Sequence, residues 1–349
     1  MRLSSRVPGE LPQGPLLAAS VPSPDSSFDR ALLPVFKKHY AMGSVFEIVT
    51  YGTNLTQASK AIDHAFQEID RLEQVMSIYK PASELSRLNS TAHLQLQTIS
   101  SDLYQVIKES LHYSELTEGE FDVTVGPLAE RWKAVGRGEQ APGPAEEKRL
   151  RSAVGYRQVE LIPPNGIHFH SSGLAIDLGA IGKGYAVDRA AAVLHDFGIE
   201  SALINSGGST FYAMGCPPSQ SGWLVHLCDP SAHFGPHVLL NENSVSTSQQ
   251  TPPSLLGMPS FGHIIDAVAG EPLDSATAVS VVAESATASD ALSTALLLMG
   301  PAKGRDLVKR LPNVAAVWIS SEGLAQTVTS GPEILMASEA RMSPESSVV

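Results

Sequence analysis

The stretch "LAIDLGAIGKGYAVDRAAAVLHDFGIESALINSGGS", Leu174 to Ser209, gathers six glycines and one lysine, Lys183, around a short helix. Where a strand ends in glycines, the backbone can turn its N–H groups outward while the following helix aims its positive end at the same spot, an arrangement that holds phosphate. Lys183 adds a full charge. The same residues also suit a plainer role, a tight strand-to-helix connection with a solvated lysine. Two familiar loops are excluded by spacing: Gly179, Gly182 and Gly184 run G-x-x-G-x-G, with Val187 where a dinucleotide fingerprint needs its last glycine, and Gly182–Lys183 is followed by Gly184 rather than a hydroxyl.

A second cluster lies in "SATASDALSTALLLMG", where Asp290, Ser293 and Thr294 stand at i, i+3 and i+4 and project from one helical face. All three offer hard oxygens of the kind Mg²⁺ takes while keeping phosphate or water in its other positions. Helix capping is the other use of such residues. In "FGHIIDAVAGEPL", His263 and Asp266 flank two isoleucines before a glycine turn. His263 can act as a general base at neutral pH if a substrate hydroxyl comes within hydrogen-bond reach.

These residues need elements to carry them. "KKHYAMGSVFEIVTYG" reads as a first strand, and Ile62, Phe66, Ile69, Leu72, Val75 and Met76 mark one apolar face of a helix about six turns long. Leu103, Val106, Ile107 and Leu111 mark a second helix, with Ser101 as its N-cap and Gly119 beyond its end. "FDVTVGPL" reads as a strand, and the segment from Val135 to Glu147 as a surface loop. "QVELI", "GIHFH" and "LAIDLG" read as short strands, followed by a helix over "GYAVDRAAAVLHDFG" and a strand at "SALIN". A buried helix at "ASDALSTALLLMG" and a hairpin over "VAAVWIS" and "LAQTVTS" complete an α+β chain.

The 349 residues, 43% hydrophobic, suffice for a large core. The balance of 24 Lys+Arg against 36 Asp+Glu, −12 overall, argues against a nucleic-acid or anionic-membrane surface. An anionic ligand therefore needs local help from backbone amides or a metal. Cys216 and Cys228 can form at most one disulfide and cannot build a four-thiolate zinc site. No apolar run approaches the roughly 18 residues of a membrane span. The first residues lack a signal-peptide core, and no lipid-anchor motif is visible, which leaves the compartment unknown and cytoplasmic by default. Residues 1–33 are expected to be a disordered Pro/Ser-rich leader, 34–336 one compact catalytic domain, and 337–349 a disordered tail.

The motifs "AMGSVFEI", "MSIYKPASELSRLNS", "GEFDVTVGPL", "AIDLGAIGKGYAVDRAA", "NSGG", "GHIID" and "ASDALSTALLLMG" follow one another between Tyr40 and Thr329. In this order the chain resembles the ApbE-like flavin transferases, the FAD:protein FMN transferase family. The resemblance implies mixed helices and sheets of that type, with FAD as substrate and Mg²⁺ as cofactor. It also implies an acceptor protein whose Ser or Thr hydroxyl receives FMN as AMP leaves. It further implies flavin-nucleotide contacts at Met42, Tyr79, Glu120, Phe121, Asp122, Asp177, Lys183 and Ile265. The implied metal contacts are Ala180, through its carbonyl, with Asp290, Ser293 and Thr294; His263 and Asp290 are the catalytic candidates.

Three positions depart from the family pattern. Ser209 stands for an aspartate after "N-x-G-G", Gln249 for the glycine of "S-T-S-G", and Ala267 for a proline after "HIID". All three are expected on the flavin or acceptor side. Two other readings use the same nucleotide site: hydrolysis of FAD with water as acceptor, and flavin binding without catalysis.

Overall fold

Antiparallel strands, three pairs of them joined by tight glycine-containing turns, build the central sheet of this computed structural model, which describes residues 32–52, 54–250 and 263–336. The first hairpin pairs β1 (Leu33–Ala41) with β2 (Ser44–Gly52). "KKHYAMGSVFEIVTYG" is thus two strands rather than one, because Met42 and Gly43 both take positive φ, 51° and 71°, and turn the chain back on itself. β1 begins on Leu33, the last residue of the expected leader; the rest of that leader, except Leu32, and the expected tail lie outside the described residues.

From β2 the sheet continues through β6 (Ala202–Ser206), β7 (Thr210–Met214), β10 (Asn243–Gln249), β13 (Thr277–Ala283), β14 (Ala315–Ser320) and β15 (Ala325–Thr329). All neighbouring pairs of these eight strands are antiparallel. Both faces are covered. On β14, Ala316 and Trp318 face the main helical core, while Ala315, Val317 and Ile319 join a second cluster with Phe211 and Trp223. Part of that second cluster comes from the hairpin of β8 (Trp223–His226) and β9 (His237–Leu240).

Three helices cover the main face: α1 (Leu55–Met76), α6 (Gly182–Asp196) and α7 (Ala286–Val308), the last broken at Gly300 before Pro301. α1 buries Ile62, Phe66, Ile69 and Leu72, as its periodicity requires. α2 (Glu84–Thr91) and α3 (Ser101–Leu116) flank it, and α3 is capped by Ser100, one residue before the expected Ser101. A small sheet holds β3 (Gln97–Thr98), β5 (Gly166–Phe169) and β4 (Val159–Ile162) in that order. A last short hairpin pairs β11 (Ile265–Asp266) with β12 (Glu271–Pro272).

Three sequence expectations fail locally, each for a side-chain reason. "FDVTVGPL" is a turn leading into α4 (Gly126–Gly136), because Asp122 Oδ1 captures the Thr124 amide at 2.8 Å and Pro127 starts a helix. "LAIDLG" makes only a single bridge, Ala175 to Val125; Ile176 is instead gripped on both backbone groups by Asn89, each bond 2.9 Å. The supposed loop to Glu147 ends early, since Pro144, Glu146 and Glu147 open α5 (Pro144–Ser152) with favourable first-turn residues. Among the described residues no helix is long and apolar enough to cross a membrane.

Candidate active site

A cavity of about 990 Å³ opens where the β1–β2 turn, the ends of α1 and β10, the first turn of α6 and one face each of α4 and α7 converge. Of the residues singled out from sequence, Met42, Tyr79, Phe121, Asp122, Asp177, Ala180, Lys183, His263, Ile265, Asp290 and Thr294 line it. Glu120 and Ser293 do not. Glu120 points to an ion pair with Lys303 at 2.7 Å, and Ser293 lies behind Thr294, donating to the Asp290 carbonyl at 2.9 Å.

The glycine loop departs from the phosphate-cradle expectation. The amides of Gly179, Gly182, Gly184, Gly207 and Gly208 are already engaged, by Asp177, Leu178, Asp290, Val45 and Asn205 respectively. Glycine is needed here for closeness: a Cβ on Gly184 would stand 2.2 Å from the Ala286 carbonyl oxygen, so α6 and α7 touch backbone to backbone. Lys183 brings the loop's cationic side chain to the cavity. Its Nζ donates to Ser209 Oγ at 3.1 Å, a neutral partner that leaves the ammonium charge uncompensated at that contact.

Asp290 is 5% exposed at the floor of the cavity. Gly184 N donates to Oδ2 at 2.9 Å, and Ser246 Oγ reaches Oδ1 at 3.4 Å while bonding Thr210 Oγ1 at 2.9 Å. Burial pushes this carboxyl above the usual carboxylate range, against the opposing pull of Lys183 and of these donors. Beside it Ser248 Oγ bridges Ser293 Oγ at 2.8 Å and Thr294 Oγ1 at 2.9 Å. The donors are one carboxylate and several hydroxyls, all hard oxygens. That chemistry fits Mg²⁺, whose charge also offsets the cost of ionising a buried carboxylate.

Sequence reasoning overlooked Ser248, although its signal was present. Ser244, Ser246 and Ser248 alternate along β10 and meet Ser289, Asp290 and the Ser293–Thr294 pair of α7 in turn. Lys133 of α4 was also overlooked. It donates to Tyr79 Oη at 2.9 Å and lies 4.0 Å from Asp177 Oδ2, bringing a second cation to the wall.

Other residues serve the walls. Met42, held at φ 51°, donates its amide to Glu73 Oε1 at 3.0 Å, and Glu73 also pairs with Lys80 at 2.5 Å. Asp122 spends its carboxylate on the Thr124 amide and hydroxyl and on the Tyr156 amide, shaping the turn before α4. Asp266 likewise accepts from Val268 and Ala269 in the β11–β12 turn, which contains Ala267. Cys216 and Cys228 are both free, and Cys228 Sγ donates to Gln249 Oε1 at 2.7 Å on the cavity wall.

His263 is open to the cavity yet surrounded by enough protein that desolvation, with Lys183 and Lys133, lowers its pKa below the ordinary 6.5. A neutral imidazole at pH 7 accepts a proton.

The profile of the ApbE family matches residues 42–318. A FAD:protein FMN transferase of Escherichia coli is 26% identical over 292 residues, covering 81% of this chain and 83% of that protein. One from Vibrio cholerae is 30% identical over 256 residues, covering 68% of this chain and 74% of that protein. The solved structure of the flavin transferase ApbE from Vibrio cholerae is similar with a TM-score of 0.73 at 25% identity, covering 86% of this chain and 98% of the other.

Proposed function

The chain belongs to the ApbE family, and from that premise we propose that it moves the FMN half of FAD onto a Ser or Thr hydroxyl of a target protein, with Mg²⁺ as cofactor and AMP as product. The observation that carries this reading is the convergence of Lys183, Asp290 and His263 on one cavity. Its volume of about 990 Å³ stands at the upper end of the roughly 300–1,000 Å³ typical of small-molecule sites.

In the reaction the acceptor oxygen bonds to the FMN-side phosphorus, the pyrophosphate P–O bond to AMP breaks, and the hydroxyl proton goes to His263. Lys183 binds the anionic linkage. Tyr79, exposed beside Lys133, offers an aromatic face to a flat ring. Asp290 and Thr294, with Ser248 and the Ala180 carbonyl, would hold the cation, which would supply neutralisation of charge on phosphate oxygens. Asp290 is kept in place by Gly184 and by the Thr210–Ser246 hydroxyl pair. Catalysis of this kind rests on positioning and charge more than on covalent work by side chains.

The test is incubation with FAD, Mg²⁺ and a serine-bearing acceptor protein, reading covalent flavin by in-gel fluorescence and AMP by chromatography. Equimolar labelled acceptor and AMP are expected. AMP without labelling would make the chain an FAD hydrolase, and neither product would make it a binder.

A further inference from the structure

The outer face of the β4–β5 hairpin carries three metal-ligating side chains that the transfer reaction leaves unused. Val159, Ile167 and Phe169 turn into the core, so the alternate positions Glu160, His168 and His170 share the opposite face. Glu160 stands directly across from His168, and His170 N donates to the Gln158 carbonyl at 2.9 Å, which carries the pairing one step past β5. His170 Nε2 lies 3.1 Å from Glu160 Oε2, and the two imidazole rings meet edge to face with centroids 4.9 Å apart. One ligand atom from each residue falls within 4.8 Å of the other two.

The geometry points to a surface site for a divalent transition ion of the zinc class, held by Glu160, His168 and His170. Bonds of about 2.0–2.2 Å in a tetrahedral arrangement place zinc ligands roughly 3.3 Å apart. The Glu160–His170 pair is already at that separation, and His168 reaches it by side-chain rotation on a backbone whose register is fixed. A plain ion pair with Glu160 would need only one histidine. Two imidazoles select zinc, nickel or copper over magnesium, so this site and the oxygen-lined cavity sort different ions by ligand chemistry. None of the three residues lines that cavity. With three protein ligands on an open face, the fourth position belongs to water.

The test is a calorimetric titration of the full chain with Zn²⁺ in excess Mg²⁺, so that hard-oxygen positions are occupied throughout. The wild-type chain should take one zinc per chain and gain thermal stability from it. The double variant His168→Gln/His170→Gln should bind at least about tenfold more weakly and gain none, and Glu160→Gln should fall between them. All three side chains are solvent-facing, so midpoints without zinc should match; Glu160→Gln alone decides the matter if the double variant misfolds. Zinc uptake unchanged in the variants, or none by the wild-type chain at micromolar zinc, overturns the assignment.

Discussion

Gly184 donates its backbone N–H to Asp290 Oδ2 at 2.9 Å, tying the first turn of α6 to the acidic residue of α7 across the cavity floor. The contact is possible only without a side chain: a Cβ on Gly184 would meet Ala286 O at 2.2 Å and Asp290 Cβ at 2.8 Å. One glycine thereby sets both helix spacing and carboxylate orientation.

Gly184→Ala should force the two helices apart. Overpacking typically costs about 1–3 kcal/mol, and here the opposing atom is backbone that cannot rotate away, so the upper end or more is expected. The thermal midpoint should drop by several degrees and FAD affinity with it. An unchanged midpoint by calorimetry would mean the helices are free to shift.

Asp290→Asn preserves shape and the bond from Gly184 but removes the charge. Mg²⁺ affinity, read by calorimetry without FAD, should fall sharply, and flavin transfer should fall about a hundredfold or more, since a cation at this carboxylate would supply several kcal/mol of charge stabilisation. Equal Mg²⁺ binding by the variant would remove Asp290 from the ligand set.

For His263 the sign of the pH effect follows from its lowered pKa. The imidazole is a free base at pH 7 and protonates only below 6.5, so kcat/KM should be flat through neutrality and decline in acid. The folded state takes this proton less readily than the unfolded chain, so its contribution to stability also declines below pH 6.5. His263→Gln should abolish the acid limb along with most activity; a limb that persists belongs to another group.

Gln249 extends into the cavity where the family pattern has glycine, and Cys228 holds its amide oxygen. Gln249→Gly should speed labelling of a generic acceptor while leaving FAD affinity unchanged, because a small misplacement of the hydroxyl can cost about a hundredfold in rate. A change in FAD affinity alone would place the side chain on the nucleotide instead.

Asp188 accepts from Ala286 N at 2.7 Å and Thr287 N at 2.8 Å, and from the Thr287 hydroxyl, capping α7 from α6. Asp188→Ala should cost about 2–3 kcal/mol, the range for buried charge-assisted bonds, seen as a lower denaturant midpoint with unchanged slope.

Periodic elements were legible in the sequence. α1 with Ile62, Phe66 and Ile69, and the β14–β15 hairpin, follow from spacing alone because burial obeys the 3.6- and 2-residue repeats. The shared helical face of Asp290 and Thr294 on α7 was legible for the same reason, whereas Ser293 sits behind them and off the cavity. What escaped depended on contacts distant in the chain: Asn89 gripping Ile176 in place of a strand partner, Lys133 arriving beside Tyr79, and the serines of β10 facing α7. The glycine loop misled because a glycine that frees an amide and one that admits a neighbouring backbone look identical in sequence. Only the position of Ala286 distinguishes them at Gly184.

The pairing of β2 with β6 carries a consequence for biosynthesis. Glu47 meets Asn205 across a separation of 158 residues, so β2 leaves the ribosome long before the strand that completes it. Until then one edge of β2, with Phe46 and Ile48 destined for full burial, has no partner, and such exposed edges invite association with other chains. A pairing at that sequence separation raises the contact order, which favours slow maturation. Chains truncated before Ala202 should accumulate as aggregates, whereas chains extending through β15 should escape that fate once the sheet is complete.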